Sequence, residues 1–363
     1  MASNVLSRLA RIEFAAPRYL ALPAAGVDVS ASGVKLAILE ERVHGLELTR
    51  FGEARLPIGA ITGGELSDRA AVVEAVRSLA KSHKVRFANI ALPEARSYLF
   101  EAIAPGENPR AWKTAVEQRL DEYIPLPPAE VAFDVAAAGL PGAETPVVGV
   151  GYARRVIEES LSAFDESGVT VRAVESETFS MARALLPKGD QDTVLIIDIG
   201  RTTTKLTVVS HRIPRFATTL DIGGHALTLA VQKHFGVTEE EAKRVKAEHG
   251  LISSPGEDGG YLEAMLSTVS AIREEIVRRL DYWQSRAAKG TAHEPVSRAI
   301  LIGGNATVRG LPEYLETSMR VPVELGDVFA NLASRDHWLP PLDYLESLAY
   351  ATAIGLALRD YDA

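Results

Sequence analysis

Residues 194–209, VLIIDIGRTTTKLTVV, constrain the fold of this chain more than any other stretch. The stretch opens with an unbroken apolar run, which is typical of a strand buried on both faces. Asp198 ends that run, and Gly200 and a set of threonines that includes Thr202 and Thr203 follow before strand composition resumes. This pattern predicts a hairpin whose backbone N–H groups and hydroxyls bind phosphate, with a carboxylate that holds Mg²⁺ through water. An ordinary hairpin, in which these side chains only satisfy the turn, is the alternative.

The same pattern occurs near the start of the chain, in residues 26–39, GVDVSASGVKLAIL. The two stretches align without a gap when Asp28 is set against Asp198, and Lys35 then matches Lys205. A unit repeated in the two halves of a chain implies two related domains, each offering a hairpin to a shared cleft. Nucleotide phosphates bound between the two turns are the economical explanation, and coincidence between two unrelated hairpins is the alternative.

Composition limits the other classes of function. A chain of 363 residues is long enough for two or more domains. The net charge of −9 and the lack of a long basic run argue against a nucleic-acid partner. The absence of cysteine excludes disulfides and thiolate zinc sites, and the eight scattered histidines indicate no metal site beyond nucleotide-bound Mg²⁺. No apolar stretch is long enough to span a bilayer.

Strand and helix patterns predict an α/β chain with two halves and an insertion in the first. The predicted segments are an N-terminal leader (1–21), a first domain (22–92 and 166–190), an inserted α/β subdomain (93–165), a second domain (191–341) and a C-terminal helix (342–363). The leader has apolar residues at helical spacing, which fit either a contact with a membrane surface or partner, or packing on its own domain.

Two further stretches supply candidate groups for the predicted cleft. In residues 298–316 a buried strand ends in Gly303, Gly304 and Asn305. Paired glycines after a buried strand let the backbone approach a flat ligand such as adenine, although a tight turn explains them equally when they are taken alone. Glu175 and Glu177 lie at a predicted strand-to-helix junction, where a carboxylate either positions a water in the cleft or only complements the helix dipole.

Taken in order, GVDVSASGVK, DIGRTTTK and LIGGNATVRGL resemble the phosphate-1, phosphate-2 and adenosine motifs of the actin-like ATPases, the superfamily of Hsp70 and FtsA. Within it, the chain resembles the PilM family of the type IV pilus inner-membrane platform, through EYIPLPPAEVAFDV at 122–135 and LDIGGHALTLAVQKHFGVTEEEAKRVK at 220–246. This resemblance covers the chain from about residue 22 onward. It implies the actin-like ATPase fold, with two related domains around a nucleotide cleft and a small inserted α/β subdomain in the first.

The resemblance also implies roles for individual residues. Asp28 and Asp198 would lie around Mg²⁺ and the β- and γ-phosphates, while Asp198 and Glu177 would be the catalytic residues, the latter by positioning a water. The other residues implied to bind ATP are Ser32, Lys35, Gly200, Thr202, Thr203, Gly223, Gly224, Lys246, Gly303, Gly304 and Asn305.

Three positions depart from the pattern of the family. Ser30 stands where the family usually has glycine, Arg201 lies in a turn that usually holds small residues, and Lys243 reverses the charge of a glutamate beside the ribose. These departures leave ATP hydrolysis an open question, and they leave a nucleotide-free scaffold as an alternative.

For the whole protein, the resemblance implies an ATP-binding cytoplasmic scaffold at the inner membrane. It would hold the cytoplasmic N-terminal tail of a PilN-like membrane protein in a groove of its first domain, with indirect membrane contact and with self-association left open. An FtsA-like, filament-forming division ATPase is one alternative, but such chains usually continue past the last packed helix into a linker and a membrane helix. A sugar or metabolite kinase is another, but no candidate for its catalytic aspartate base is evident.

Overall fold

The structure, a computed structural model, describes residues 24–252, 260–288 and 293–361. The predicted leader, residues 1–21, lies outside the described residues. None of the helices in the described ranges combines the length and the apolar character that a membrane span requires.

Strands and helices are interspersed along the chain. The strands are β1 (Ala25–Ser30), β2 (Gly33–Arg42), β3 (Gly45–Arg55), β4 (Ile61–Thr62), β5 (Glu65–Leu66), β6 (Phe87–Leu92), β7 (Tyr98–Pro105), β8 (Val131–Ala137), β9 (Glu144–Ala153), β10 (Thr170–Ser176), β11 (Thr193–Ile199), β12 (Thr204–Ser210), β13 (Ile213–Leu220), β14 (Arg298–Ile302) and β15 (Val323–Leu325). The helices are α1 (Arg69–His83), α2 (Pro109–Glu117), α3 (Leu120–Tyr123), α4 (Arg154–Glu166), α5 (Glu177–Leu185), α6 (Gly224–Phe235), α7 (Glu239–His249), α8 (Gly260–Ala288), α9 (Leu311–Met319), α10 (Tyr344–Ser347) and α11 (Ala351–Leu358).

Two five-stranded sheets share one topology. The first has the order β10-β6-β1-β2-β3 and the second has the order β13-β12-β11-β14-β15. In each, three consecutive strands form an antiparallel meander, and two later strands run parallel to the first strand of that meander. The repeat found in the sequence is therefore a repeat of whole sheets.

The strand register places the repeated residues at equivalent positions. Asp28 on β1 pairs with Lys35 on β2, and Asp198 on β11 pairs with Lys205 on β12. Each aspartate lies near the end of a buried central strand, because strands with apolar residues on both faces occupy the middle of a covered sheet. The two hairpin turns consequently lie at the corresponding ends of the central strands, β1 and β11.

A small antiparallel sheet, ordered β7-β9-β8, interrupts the first half between β6 and β10. Helices α2 and α3 cover it, and Phe100, Trp112, Leu120 and Ile124 belong to its separate apolar core. Asn108 accepts a hydrogen bond from the N–H of Arg110 and is followed by proline at the first helical position, which fixes the start of α2.

All of helix α4 except its last residue falls in the range predicted for the inserted subdomain, 93–165, but the helix packs on the first sheet. Phe164 of α4 is buried in the core that β1, β2 and α1 form on one face of the first sheet. Arg69 at the start of α1 also binds Glu166 at the end of α4, with 3.0 Å between Nη2 and Oε2.

Helices α5 and α11 join the two halves. Apolar residues of β2, of these two helices and of the second sheet form one continuous buried cluster. The helices cross closely at Gly355, where an added Cβ would lie 1.8 Å from the carbonyl oxygen of Ser180. On its other side α11 packs on β1, because a Cβ on Gly26 would lie 1.9 Å from the Ala353 oxygen.

The C-terminal helix predicted within residues 342–363 is broken in the structure. Helix α10 ends at Ser347, a 3₁₀ turn spans Leu348–Tyr350, and α11 follows. The carbonyl oxygen of Leu348 accepts a hydrogen bond from the N–H of Gly303 at 3.0 Å, so it serves the end of β14 rather than a continuous helix.

Candidate nucleotide cleft and adjoining groove

The two hairpins border one cavity of ≈ 880 Å³ between the halves of the molecule. Most of the residues that the sequence predicts to bind nucleotide line this cavity. They are Asp28, Ser32, Lys35, Glu177, Asp198, Gly200, Thr202, Thr203, Lys246, Gly303, Gly304 and Asn305.

Gly223 and Gly224 are not among the lining residues and instead support the residues that are. A Cβ on Gly223 would lie 2.7 Å from backbone atoms of Thr202 and Thr203, so the second turn rests directly on this glycine. A Cβ on Gly224 would lie 1.9 Å from Asn305 Cγ. Both glycines are needed for close packing behind the cavity wall.

The turn of the first hairpin is tightened by its own hydroxyls. Ser30 Oγ donates to the carbonyl oxygen of Gly33 at 3.2 Å and lies 3.0 Å from Ser32 Oγ. Lys35 Nζ donates to Ser32 Oγ at 2.9 Å and lies 3.6 Å from Glu53 Oε1. The hydroxyl of Ser30 is therefore used inside the turn.

The second hairpin has a longer turn, and its two ends are hydrogen-bonded to the segment 222–224. Gly200 N–H donates to the Thr203 carbonyl oxygen at 2.9 Å, and the Gly200 oxygen accepts from Gly224 N–H at 2.9 Å. Thr204 Oγ1 donates to the Ile222 oxygen at 2.7 Å. These contacts leave the side chains of Thr202 and Thr203 at the cavity.

On the opposite wall, Asn305 links three elements. Its Nδ2 donates to the Gly200 oxygen at 2.8 Å, and its Oδ1 accepts from Lys246 Nζ at 2.8 Å. Lys246 Nζ also donates to the Gly224 oxygen at 3.2 Å. Burial, with a smaller effect of Lys243, lowers the pKa of Lys246 to about 8. Lys243 also lines the cavity, and its Nζ lies 2.7 Å from Glu239 Oε1, so its charge is paired with that carboxylate.

Carboxylates and one ammonium group form the floor of the cavity. Lys205 Nζ lies 2.6 Å from Glu177 Oε2 and 3.7 Å from Asp198 Oδ2. Burial alone would lower the pKa of Lys205, but the charges of the surrounding carboxylates, Glu177 first, raise it above its ordinary value. Asp28 is only 7% exposed. Burial raises its pKa to about 6, and the charge of Glu177 adds to that rise while two lysines oppose it.

Glu94 is a residue of the cavity that the sequence analysis missed. It is 5% exposed and lies in the 3₁₀ turn Glu94–Arg96, after β6. Ser176 Oγ donates to its Oε2 at 2.9 Å, Ser97 Oγ donates to its Oε1, and its N–H donates to Glu177 Oε2 at 3.4 Å. Burial raises the pKa of Glu94 to about 7, against the two serine hydrogen bonds, which lower it. Its position just past the carboxyl end of a parallel strand is the signal that would have identified it.

A second cavity, a groove of ≈ 470 Å³, lies between the small sheet and the first half. Its walls come from the start of β7, the segment before β8, and the junction of β9 with α4. The lining residues are Ala95, Arg96, Ser97, Tyr98, Leu126, Ala129, Glu130, Ala153, Arg154, Arg155 and Val156. Ala95 lines the cleft as well as the groove, so one turn of the backbone separates the two.

Two observations test whether a nucleotide fits the cleft. Thr219 Oγ1 is buried at the wall and has no hydrogen-bond partner among the described residues. The side of Gly304 where a Cβ would stand has no atom within 4 Å, so this face is open to a flat ligand. An unsatisfied hydroxyl and an open backbone face both fit nucleotide binding.

The fit to Mg²⁺ depends on what else is bound. In the described ranges, no group of three or more His, Asp or Glu side chains is arranged to hold a metal ion. Mg²⁺ usually keeps several waters and takes only one or two carboxylates together with substrate phosphates. Asp28 and Asp198 therefore fit a magnesium ion whose shell is completed by water and phosphate oxygens.

Comparisons with known proteins agree with this architecture. Residues 26–361 match the family model described as "Type IV pilus assembly protein PilM". The structure of a "PilM-PilN type IV pilus biogenesis complex" is similar with a TM-score of 0.76 and 21% identity, over 94% of this chain and 99% of that one.

Two more distant structures share the fold. MreB5 of Spiroplasma citri bound to ADP is similar with a TM-score of 0.55 and 12% identity, over 94% of this chain and 99% of that one. The ethanolamine utilization protein EutJ from Carboxydothermus hydrogenoformans has a TM-score of 0.50 and 15% identity, over 98% of each chain. The predicted actin-like fold is confirmed.

Proposed function

Since the chain belongs to the PilM family of type IV pilus assembly proteins, we propose that it is an ATP-binding scaffold of a type IV pilus-like inner-membrane platform. In this proposal it works in the cytoplasm at the inner membrane and holds the cytoplasmic N-terminal tail of a PilN-like membrane protein. Binding of nucleotide between the halves changes how firmly the tail is held.

The observation that carries the nucleotide part of this proposal is the meeting of two equivalent hairpins at one cavity. Asp28 and Asp198 stand at the same register position in two sheets of the same topology. A phosphate chain between the turns would receive hydroxyl groups from Ser32, Thr202 and Thr203. Bound Mg²⁺ would neutralise phosphate charge, and Asp28 and Asp198 would hold it through water.

The adenosine side is supported by contacts that a ligand can replace. Gly304 offers an open backbone face, and Lys246 Nζ donates to Asn305 Oδ1 at 2.8 Å. In the proposal, Lys246 exchanges that partner for a ribose hydroxyl. Glu177 is held by Lys205 and by the N–H of Glu94, which fixes the direction in which it can orient a water. Weak ATP hydrolysis is compatible with this arrangement.

The groove beside the small sheet is the surface we propose for the tail. One relative was solved as a PilM–PilN complex, which supports a partner of that type. Tyr98 and Leu126 supply apolar surface to the groove and three arginines supply positive charge, a combination that suits an extended peptide. Because Ala95 lies between groove and cleft, movement of this turn on nucleotide binding would change the groove.

Peptide binding tests the partner assignment. A fluorescent peptide with the N-terminal tail sequence of the PilN-like protein should bind with a Kd on the order of micromolar. Replacing Ala129 at the groove wall with Trp should weaken binding at least about tenfold, because the added ring fills the groove.

The matched control is Leu140→Trp, which adds the same ring at a position on the small sheet's loop that is 91% exposed and lies outside the groove. This variant should bind the peptide like the wild type. Absence of binding by the wild-type protein, both with and without Mg-ATP, would contradict the partner assignment.

A further inference from the structure

Equivalent lysines of the two hairpins have different partners. Lys35 turns to Ser32 of its own turn and to Glu53 of the neighbouring strand. Lys205 occupies the same register position in the second sheet, yet its ammonium lies between Glu177 and Asp198. The repeat therefore provides an internal comparison, and the position of Lys205 is not dictated by the hairpin alone.

The contact made by Lys205 joins the two halves at the floor of the cleft. Glu177 starts α5 directly after β10 of the first sheet, whereas Lys205 belongs to the second sheet. The side chains are well shielded, with 16% of Lys205 and 4% of Glu177 exposed. In such surroundings, several carboxylates cannot all stay ionised unless a cation lies among them.

The neighbourhood of Lys205 also contains the unsatisfied hydroxyl of the cleft. Thr219 is the direct cross-strand neighbour of Lys205 on β13, and its Oγ1 has no hydrogen-bond partner in the described part of the chain. Directly paired residues of neighbouring antiparallel strands lie on the same face of a sheet, so a ligand oxygen that binds Lys205 would lie near the Thr219 hydroxyl. The pair thus suits an anionic group that arrives with its own counter-ion.

We propose that Lys205 is the resident counter-cation of the cleft floor, where it lies among Asp28, Asp198 and Glu177. Its ammonium neutralises the charge of these carboxylates, which is the role that a divalent metal has when a nucleotide is bound. Free Mg²⁺ is then excluded, and the metal enters only with phosphates that draw the ammonium away from Glu177. The inference rests on the proposed nucleotide cleft for its biological meaning.

Thermal unfolding of Lys205→Gln in EDTA and in millimolar Mg²⁺ tests this role without any nucleotide. In EDTA the variant should melt about 5 °C or more below the wild type, because its carboxylates lose their counter-ion. Mg²⁺ should restore at least about half of that loss, while NaCl of equal ionic strength should not, because screening is no substitute for a bound cation. The melting temperature of the wild type should not respond to Mg²⁺.

Lys35→Gln is the matched control, since it removes the same charge from the equivalent register position of the other hairpin. It should show no Mg²⁺-specific recovery. Equal recovery in both variants, no recovery in Lys205→Gln, or unchanged melting of that variant in EDTA would each overturn the proposal.

A measurement on the wild-type protein covers the case in which Lys205→Gln does not fold. Titration with Mn²⁺ alone, followed by the electron paramagnetic resonance signal of free Mn²⁺, should reveal no occupied site below millimolar concentration. A tighter site would overturn the proposal. Because these experiments contain no nucleotide, their failure is distinct from a failure of the cleft to bind ATP.

Discussion

At the scale of single residues, Glu94 connects the cleft with the groove. Its N–H group reaches Glu177 in the cleft, and its carboxyl group accepts a hydrogen bond from Ser97, which lines the groove. A buried carboxyl group with a pKa of about 7 also makes the protein sensitive to pH, since the ordinary value is 4.5.

The pH dependence has a definite sign. Because the pKa of Glu94 is raised on folding, its contribution to stability is complete below about pH 4.5 and is lost as the pH rises to about 7. Glu94→Gln cannot lose a proton, so relative to the wild type its free energy of unfolding should rise by about 3 kcal/mol between pH 4.5 and pH 8. Urea denaturation of both proteins at the two pH values measures this difference.

The titration of Asp28 contributes to the pH dependence of both proteins, so its contribution cancels when the two are compared. Glu117→Gln on the exposed face of α2 is the control, and its difference from the wild type should be the same at both pH values. A difference for Glu94→Gln that does not change with pH would contradict the assignment.

Residues that share a repeated pattern could be predicted from the sequence, whereas residues defined by contacts between segments could not. The alignment of Asp28 with Asp198 led directly to two side chains that line one cavity. Lys205 was visible in the same alignment, but its contact with Glu177 depends on how the two halves meet. Glu94 belongs to no repeated motif. Its position after a strand is visible in the sequence, but its contacts with Ser176 and Glu177 arise only when β6 pairs with β10.

At the scale of elements, the crossing of α5 and α11 is a close contact between helices in the core that joins the halves. Gly355→Ala should destabilise the protein by about 2 kcal/mol, because the new methyl group would overlap the carbonyl oxygen of Ser180, and the helices must separate. Urea denaturation gives the change in free energy of unfolding.

Gly142→Ala is the matched control for this substitution, since the nearest atom to its added Cβ lies 3.8 Å away. It should leave stability within about 0.5 kcal/mol of the wild type. Similar stability of Gly355→Ala and the wild type would show that the helices do not meet as described.

The C-terminal helices α10 and α11 show a feature that could not be predicted from the sequence. The apolar spacing in residues 342–358 is satisfied by a continuous helix, and the sequence contains no proline or glycine at the break after Ser347. The break coincides with the carbonyl oxygen of Leu348, which is bound by Gly303 N–H. A distant strand therefore determines the local structure, and no local pattern could reveal it.

At the scale of the whole molecule, the division into two related halves followed from the sequence because one unit occurs twice. The two related domains predicted from the hairpins agree with the order of both sheets, and the actin-like fold that the resemblance implied agrees with the structural matches. The division of the chain into domains at the predicted boundaries stays a prediction. Helix α4 shows why such boundaries are hard to predict, since it follows the small sheet in sequence but packs on the first sheet.

The central claim is that a nucleotide binds between the two halves, and calorimetric titration with Mg-ATP tests it most directly. The wild type should bind with a Kd on the order of micromolar, and Asp198→Ala should weaken binding at least about thirtyfold while its circular dichroism stays unchanged. Asp192→Ala, which removes a carboxylate that lies outside the cleft and pairs with Arg298, should bind like the wild type. Absence of binding by the wild-type protein would contradict the account and leave a nucleotide-free scaffold that acts through its partners alone.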